Sequence, residues 1–420
     1  METSIHAIDC NNLLIIFATI AIAGIVCSKA SDLIKIPDVV LFLIVGIFLG
    51  PSVLGMIDIS QFQLENQLIL TFGSAFILYL GGKEVSLKVL KNVKITVLLL
   101  ATLGVLVTSF LTAKIIGLNF QLSFMNCLLI GSIIASTDPA TIVPIFNQVK
   151  IDKKVAQTVI SESALNDATG TIMTVAVLTI IIGGRFSLKE NLYNLCLMVI
   201  IGIVIGVITG LVLLILVDQG PKGIFKEYTP IISILSVIIA YELSTYLGGS
   251  GYMSCFIVGL ITGNKQNFKL WLSQKHYDAD CHVAEALGTI CRMCIFIILG
   301  SQVQLDVLFQ YFIPALLSVI GFIFIVRPVC VLICTLVDRK AKWKTNQLLF
   351  MMWVRETGVI PAALCGIITS MKLPGYEIIS SIVFMTILIT LIIQGSTTKL
   401  VAKKLGLLEE KKSSPEVVKD

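Results

Sequence analysis

Ser161, Glu162, Ser163, Ala164, Leu165, Asn166 and Asp167 follow one another inside a stretch that otherwise reads as a membrane-spanning helix. On a helix, Ser163 and Asp167 lie four apart on one face, while Glu162 and Asn166 share the adjacent face. An ionisable group at the bilayer centre costs about 2.5–3.5 kcal/mol on insertion scales, so such a group faces a partner or a water-filled cavity. A second cluster, Ala135 to Thr141, sets Thr137 and Asp138 against Pro139, and Pro144 follows. Further on, Arg327 precedes Pro328, and Arg355 and Glu356 precede Pro361. Carboxylate, amide, hydroxyl and freed carbonyl oxygens are hard-cation ligands, and no aromatic cage suited to an organic substrate accompanies them. Asp167 could hold either a proton or a cation, and one residue serving both by competition is the minimal chemistry of an exchanger.

The elements that hold these residues must lie in a membrane. Of 420 residues, 56% are hydrophobic and only 14% charged, far from soluble averages. Apolar runs separated by charged or Gly/Pro-rich breaks give thirteen expected spans. They cover 11–28, 37–55, 67–82, 93–116, 121–147, 154–182, 192–217, 228–248, 250–264, 283–301, 307–337, 345–371 and 376–402. With the N-terminus outside and the C-terminus cytoplasmic, 24 of the 31 Lys and Arg fall on the inner side, 4 outside and 3 within spans. The net charge of +5 is therefore a topology signal and not a nucleic-acid signal. Inner clusters such as Arg339 to Lys344 could touch anionic membrane lipid. Of the eleven cysteines Cys291 and Cys294 form a CxxC, but no second pair or histidine stands at zinc spacing from it, and the set reads as small buried hydrophobes. The first apolar run is long and reads as a retained span, with no cleavable signal peptide.

Proline at mid-membrane removes a donor and crowds the preceding turn, so the fifth and twelfth spans must kink or unwind. Those spans sit seven apart. Residues 1–182 and 228–402 then form two six-helix repeats joined by the helix 192–217. Because six is even and one helix intervenes, the repeats face opposite ways. Paired interrupted helices in inverted repeats mark a secondary transporter with its site near the midplane. Arg327, roughly mid-bilayer, needs a carboxylate partner. Arg355 and Glu356 could neutralise each other. The transmembrane domain spans 1–402, and 403–420 form a short charged tail.

Thr137-Asp138-Pro139, the Glu162-Ser163-x-x-Asn166-Asp167 run and Arg327-Pro328 closely resemble the NhaP-like and NHE-like branch of the monovalent cation:proton antiporters. Ile36-Pro37 through Gly50-Pro51, Gly249-Ser250-Gly251 and Gly259 to Asn264 extend the resemblance over nearly all spans. It implies an NhaA-like homodimer of thirteen helices in the cell membrane, with a scaffold domain and a mobile core that holds two crossed, discontinuous helices. Asp167 would bind Na+ or H+, assisted by Asn166, Ser163 and the Thr137 main chain, with Asp138 close by. Glu162 and Arg327 would form a fixed structural ion pair. An Asn before the binding Asp is the family pattern linked to electroneutral one-for-one exchange. Sodium, lithium or potassium and protons would be substrates in cation and pH homeostasis, and no cofactor is expected. One departure stands out: many relatives carry Arg-Gly-Ala in the twelfth span, whereas this chain has Arg355-Glu356-Thr357-Gly358.

Other classes fit less well. A ligand-gated potassium efflux system would carry a nucleotide-binding domain, and no GxGxxG follows a strand here. A channel does not require paired broken helices. An intramembrane hydrolase using Asp138 and Asp167 would have no need of arginine mates. The protein reads as a transporter and not an enzyme.

Overall fold

The computed structural model of the chain describes residues 2–34, 36–137, 142–143, 145–146, 151–183, 188–218, 224–268, 274–371 and 373–408. Asp138, Pro139 and the tail beyond Leu408 lie outside the described residues. Among the described residues the regular structure is helical, and eight helices are long and apolar enough to cross a membrane. Four shorter apolar helices accompany them: Asp38–Leu49, Phe124–Ile133, Gly251–Gly263 and Val359–Ile368. The chain is thus an all-α multi-pass membrane protein. The count of thirteen spans rests on the sequence.

Where lipid is as apolar as the helices, helices meet through small residues and close backbone contact. A Cβ on Gly46 would overlap the Ile297 carbonyl, and one on Gly300 would overlap that of Leu43, so Asp38–Leu49 and Gln274–Ser301 touch backbone to backbone. Gln63–Glu84 meets Gly251–Gly263 in the same way through Gly82, Gly259 and Gly263. These four helices, with Glu2–Ile34, Leu188–Val217 and Thr229–Tyr246, pack as one group. A second group comprises Leu87–Ala101, Leu103–Asn119, Phe124–Ile133, Lys153–Ile181 and the helices from Phe312 to Lys404. Each group draws on both halves of the chain.

Hydropathy misses two kinds of local detail. The helix Asp38–Leu49 is shorter than the 37–55 run, because Gly50 caps it and Pro51 turns the chain into a loop. Ser52 Oγ donates to the Val303 carbonyl at 2.7 Å and pins that loop. Two π-helical segments also interrupt the last spans, at Phe322–Val326 and Thr390–Gly395. The first has a direct cause: Pro328 has no N–H for the Phe324 carbonyl, and the Arg327 amide bonds the Phe322 carbonyl five residues back. The ten described cysteines are free thiols, most of them buried.

Candidate functional site

The first broken helix, Phe124–Ile133, ends beneath the middle of Lys153–Ile181. Ile134 to Ser136 turn and bend, and Thr137 lies outside the helix. The backbone group that unwinding frees finds a side chain: the Thr137 amide donates to Asn166 Oδ1 at 3.2 Å. Asn166 Nδ2 donates to Thr137 Oγ1 at 2.8 Å, and Thr137 Oγ1 donates to Ser163 Oγ at 2.8 Å. Thr137, Asn166 and Ser163 therefore form a closed polar network, each less than 4% exposed. Asp167 follows Asn166 at 1% exposure and shares the Ser163 face.

Ser136, within the Ala135 to Thr141 cluster, has no distinguishing signal in the sequence. Its hydroxyl sits where a side chain on Gly170 would lie, one turn beyond Asp167. Neither Ser136 Oγ nor Ser161 Oγ has a hydrogen-bond partner among the described residues, and both side chains are buried. Such an oxygen is costly to leave unsatisfied, by about 1–3 kcal/mol. Of the two, Ser136 lies against the turn of the helix that follows Asp167.

The second broken helix comprises Thr345–Trp353 and Val359–Ser370, joined by a non-helical stretch from Val354 to Gly358. Pro361 sits in the first turn of the second half, where its missing N–H costs nothing. Arg327 grips Glu162 with two hydrogen bonds of 2.6 and 3.1 Å. Two further donors, on Nε and Nη2, reach carbonyls at the end of Thr345–Trp353, Met351 at 3.0 Å and Val354 at 3.5 Å. A bidentate guanidinium with four of its five N–H donors engaged offsets much of the cost of burying both charges.

Arg355 takes neither Glu162 nor Glu356. It donates to the Ala135 carbonyl and lies 5.2 Å from the centre of the Phe322 ring. A cation therefore caps the carbonyl end of the first broken helix, where the helix dipole favours positive charge. The possible Arg355–Glu356 neutralisation does not form as an ion pair among the described residues, which hold Lys83–Asp280, Arg292–Asp38 and Glu162–Arg327. Glu356, at 0% exposure, meets Thr398 Oγ1 at 3.4 Å.

The last span supports this second crossing through residues that hydropathy does not single out. Thr390 Oγ1 accepts from the Thr357 amide at 3.2 Å, Gln394 Nε2 donates to the Trp353 carbonyl, and Trp353 Nε1 donates to Thr397 Oγ1 at 3.0 Å. Thr390, Gln394 and Thr398 are spaced by four, the only sequence signal available for their shared role.

A multi-pass bundle in which two interrupted helices are pinned beside a buried carboxylate has the architecture of an ion-coupled secondary transporter. The chain belongs to the sodium/hydrogen exchanger family: residues 13–404 match the family described as "Sodium/hydrogen exchanger, transmembrane". It is similar to Na(+)/H(+) antiporter 1 of Methanocaldococcus jannaschii, at 30% identity over 412 residues, covering 91% of this chain and 93% of that one. Similarity also extends to the K(+)/H(+) antiporter NhaP2 of Shewanella oneidensis, 26% identical over 94% of this chain and 67% of the relative. The structure of the sodium proton antiporter MjNhaP1 from Methanocaldococcus jannaschii at pH 8 overlays with a TM-score of 0.77 at 28% identity, covering 94% of this chain and 99% of that one.

Proposed function

We propose that this cation:proton antiporter exchanges one monovalent cation for one proton, both competing for Asp167, without net movement of charge. The observation that carries the reading is the charge inventory around Asp167. Its chain neighbour on the N-terminal side, Asn166, is neutral and committed to Thr137. The nearby Glu162 is committed to Arg327. A proton or a single cation on Asp167 then leaves the moving part in the same charge state in both directions.

Ser163, Thr137 and Asp138 supply further oxygens for the ion, and Ser136 joins them. Glu162 and Arg327 act as a fixed ion pair. The helices around Asp167 form the moving core and the glycine-packed group forms the scaffold, giving alternating access. The N-terminus lies outside and the C-terminus in the cytoplasm of a cell membrane, and two copies associate. Sodium is the first candidate ion and potassium the second, since relatives named for each resemble this chain. The test is proton flux in proteoliposomes after addition of sodium or potassium. The wild type should alkalinise acid-loaded vesicles with one of the two, and Asp167→Asn should not; flux surviving in Asp167→Asn would remove Asp167 from the mechanism.

A further inference from the structure

The exchange reading leaves unused a pinned basic loop between Arg327–Val337 and Thr345–Trp353. Its only carboxylate, Asp338, is 4% exposed and is taken up by the loop's own supports. It accepts from the Thr96 amide at 3.0 Å, the Thr96 hydroxyl at 2.7 Å and the Ala341 amide at 3.3 Å. Trp343 Nε1 donates to Thr96 Oγ1 at 3.0 Å. Lys154 Nζ lies 4.0 Å from the centre of the Trp343 ring and donates to the Ala341 carbonyl. Ala341 and Trp343 are thus both held, and Lys342 between them takes φ +46°, a left-handed backbone that a lysine rarely adopts.

The exposed side chains of this loop are all cationic. Arg339, Lys340, Lys342 and Lys344 are exposed, and none of them forms an ion pair among the described residues. The loop also begins where a lipid-facing surface ends. Leu336 and Val337, just before Asp338, are exposed apolar side chains, as is Leu349 soon after it, and the half-buried Trp343 is a residue type that favours the membrane interface. Four unpaired cations at headgroup depth, on a backbone fixed in one shape, meet anionic lipid as their counter-charge.

We infer that Arg339, Lys340, Lys342 and Lys344 form a preshaped clamp for the phosphate groups of anionic phospholipids, which tethers the helix of Asp167 to the membrane surface. The link is direct. Lys154, which pins the loop, is on Lys153–Ile181, and Asp167 lies about 20 Å further along that helix. Headgroups held by the clamp resist displacement of the core and make exchange sensitive to lipid charge. Binding of the lipid is independent of the role given to Asp167, and only its effect on exchange rests on that reading.

The experiment titrates the purified full-length chain in detergent with phosphatidylglycerol or phosphatidylcholine and reads bound lipid by native mass spectrometry. The wild type should prefer phosphatidylglycerol. Arg339→Gln/Lys340→Gln/Lys342→Asn, with asparagine chosen because it tolerates the left-handed backbone, should weaken phosphatidylglycerol by about fivefold for each charge lost and leave phosphatidylcholine unchanged. Lys399→Gln/Lys403→Gln/Lys404→Gln removes as many exposed charges from the last helix and should leave both unchanged. Trp343→Leu keeps every charge but frees the loop, and should also lose the preference. Equal weakening by the two triple variants, or unchanged binding in Trp343→Leu, would overturn the clamp. Displacement of the lipid by glycerol 3-phosphate would make the ligand a free phosphate and overturn the lipid assignment. In phosphatidylcholine vesicles, adding phosphatidylglycerol should change cation-driven proton flux for the wild type and not for the Arg339→Gln/Lys340→Gln/Lys342→Asn variant. Lost binding with an undiminished response of flux to lipid would overturn the tether and leave the Asp167 reading standing.

Discussion

The two broken helices solve one physical problem with opposite placements of charge. At each crossing a backbone amide released by unwinding is caught by an oxygen on the following helix: Thr137 N by Asn166 Oδ1 and Thr357 N by Thr390 Oγ1, both at 3.2 Å. Among the described residues of the first crossing the carboxylate, Asp167, stands on the intact helix beside the pinning amide. At the second, the carboxylate, Glu356, stands on the unwound stretch itself beside Arg355, and the pinning helix offers only Thr390, Gln394, Thr397 and Thr398. The first crossing therefore has a carboxylate whose load can change without disturbing the pin. In the second, charged groups and pin are the same piece of chain, which suits fixed charge. Arg355 joins the two, reaching from the second crossing to the carbonyl end of the first.

The comparison breaks most sharply at Asp167. Asp167→Asn should reduce cation-driven proton flux to that of empty vesicles while leaving the melting temperature close to wild type, since a carboxylate held for cargo is not a strut. A collapse of folding in that variant would place Asp167 among the fixed charges instead. Next in size are the single changes Glu162→Gln and Arg327→Met, each of which strands a buried group at a cost of about 3–5 kcal/mol. Thermal unfolding of the pair should be non-additive, with Glu162→Gln/Arg327→Met more stable than Arg327→Met or Glu162→Gln alone. Simple addition of the two losses would deny the fixed pair.

Gly170→Ala is a smaller and more local probe. Its Cβ would collide with Ser136 Oγ and shift the first crossing, and overpacking of this kind costs about 1–3 kcal/mol. The expected result is a higher cation concentration for half-maximal flux with little change in folding, and an unaltered cation dependence would remove Ser136 from the site. Smallest is Thr390→Val, which leaves the Thr357 amide without its acceptor at about 1–3 kcal/mol. Its melting temperature should fall by less than that of Asn166→Leu, because Asn166 makes two bonds across its crossing and Thr390 one. The reverse order would mean that the second crossing carries more of the pinning.

Much of this architecture could be read from residue types. Prolines at 139 and 361 inside apolar runs announced two breaks, and the Glu162-to-Asp167 stretch announced a polar face that a bilayer would not tolerate without purpose. Arg327 demanded a carboxylate, but spacing left Glu162 open to either arginine, because which of two helices approaches is decided by tertiary packing. The supports of the second crossing were silent for a different reason. Thr390 and Thr398 bond carbonyls four residues back as well as their partners across the crossing, so in a hydropathy profile they pass as ordinary span residues. The π-helical segment from Thr390 to Gly395 sets their register, and nothing in composition marks it. The run 37–55 was legible as an apolar span, yet its early end and the pinned loop after it depend on contact with Val303, far along the chain.

The central claim is that a single change of charge state, on Asp167, accounts for exchange. It is tested most directly by sodium-driven proton flux in proteoliposomes with the membrane potential clamped at zero and then at about 100 mV, negative inside. An uncompensated charge carried per cycle is worth about 2.3 kcal/mol per 100 mV, enough to shift the equilibrium ion ratio about fifty-fold. The account predicts the same proton gradient at equilibrium under both clamps. A gradient that follows the potential would show that a second group changes charge during the cycle and would contradict it.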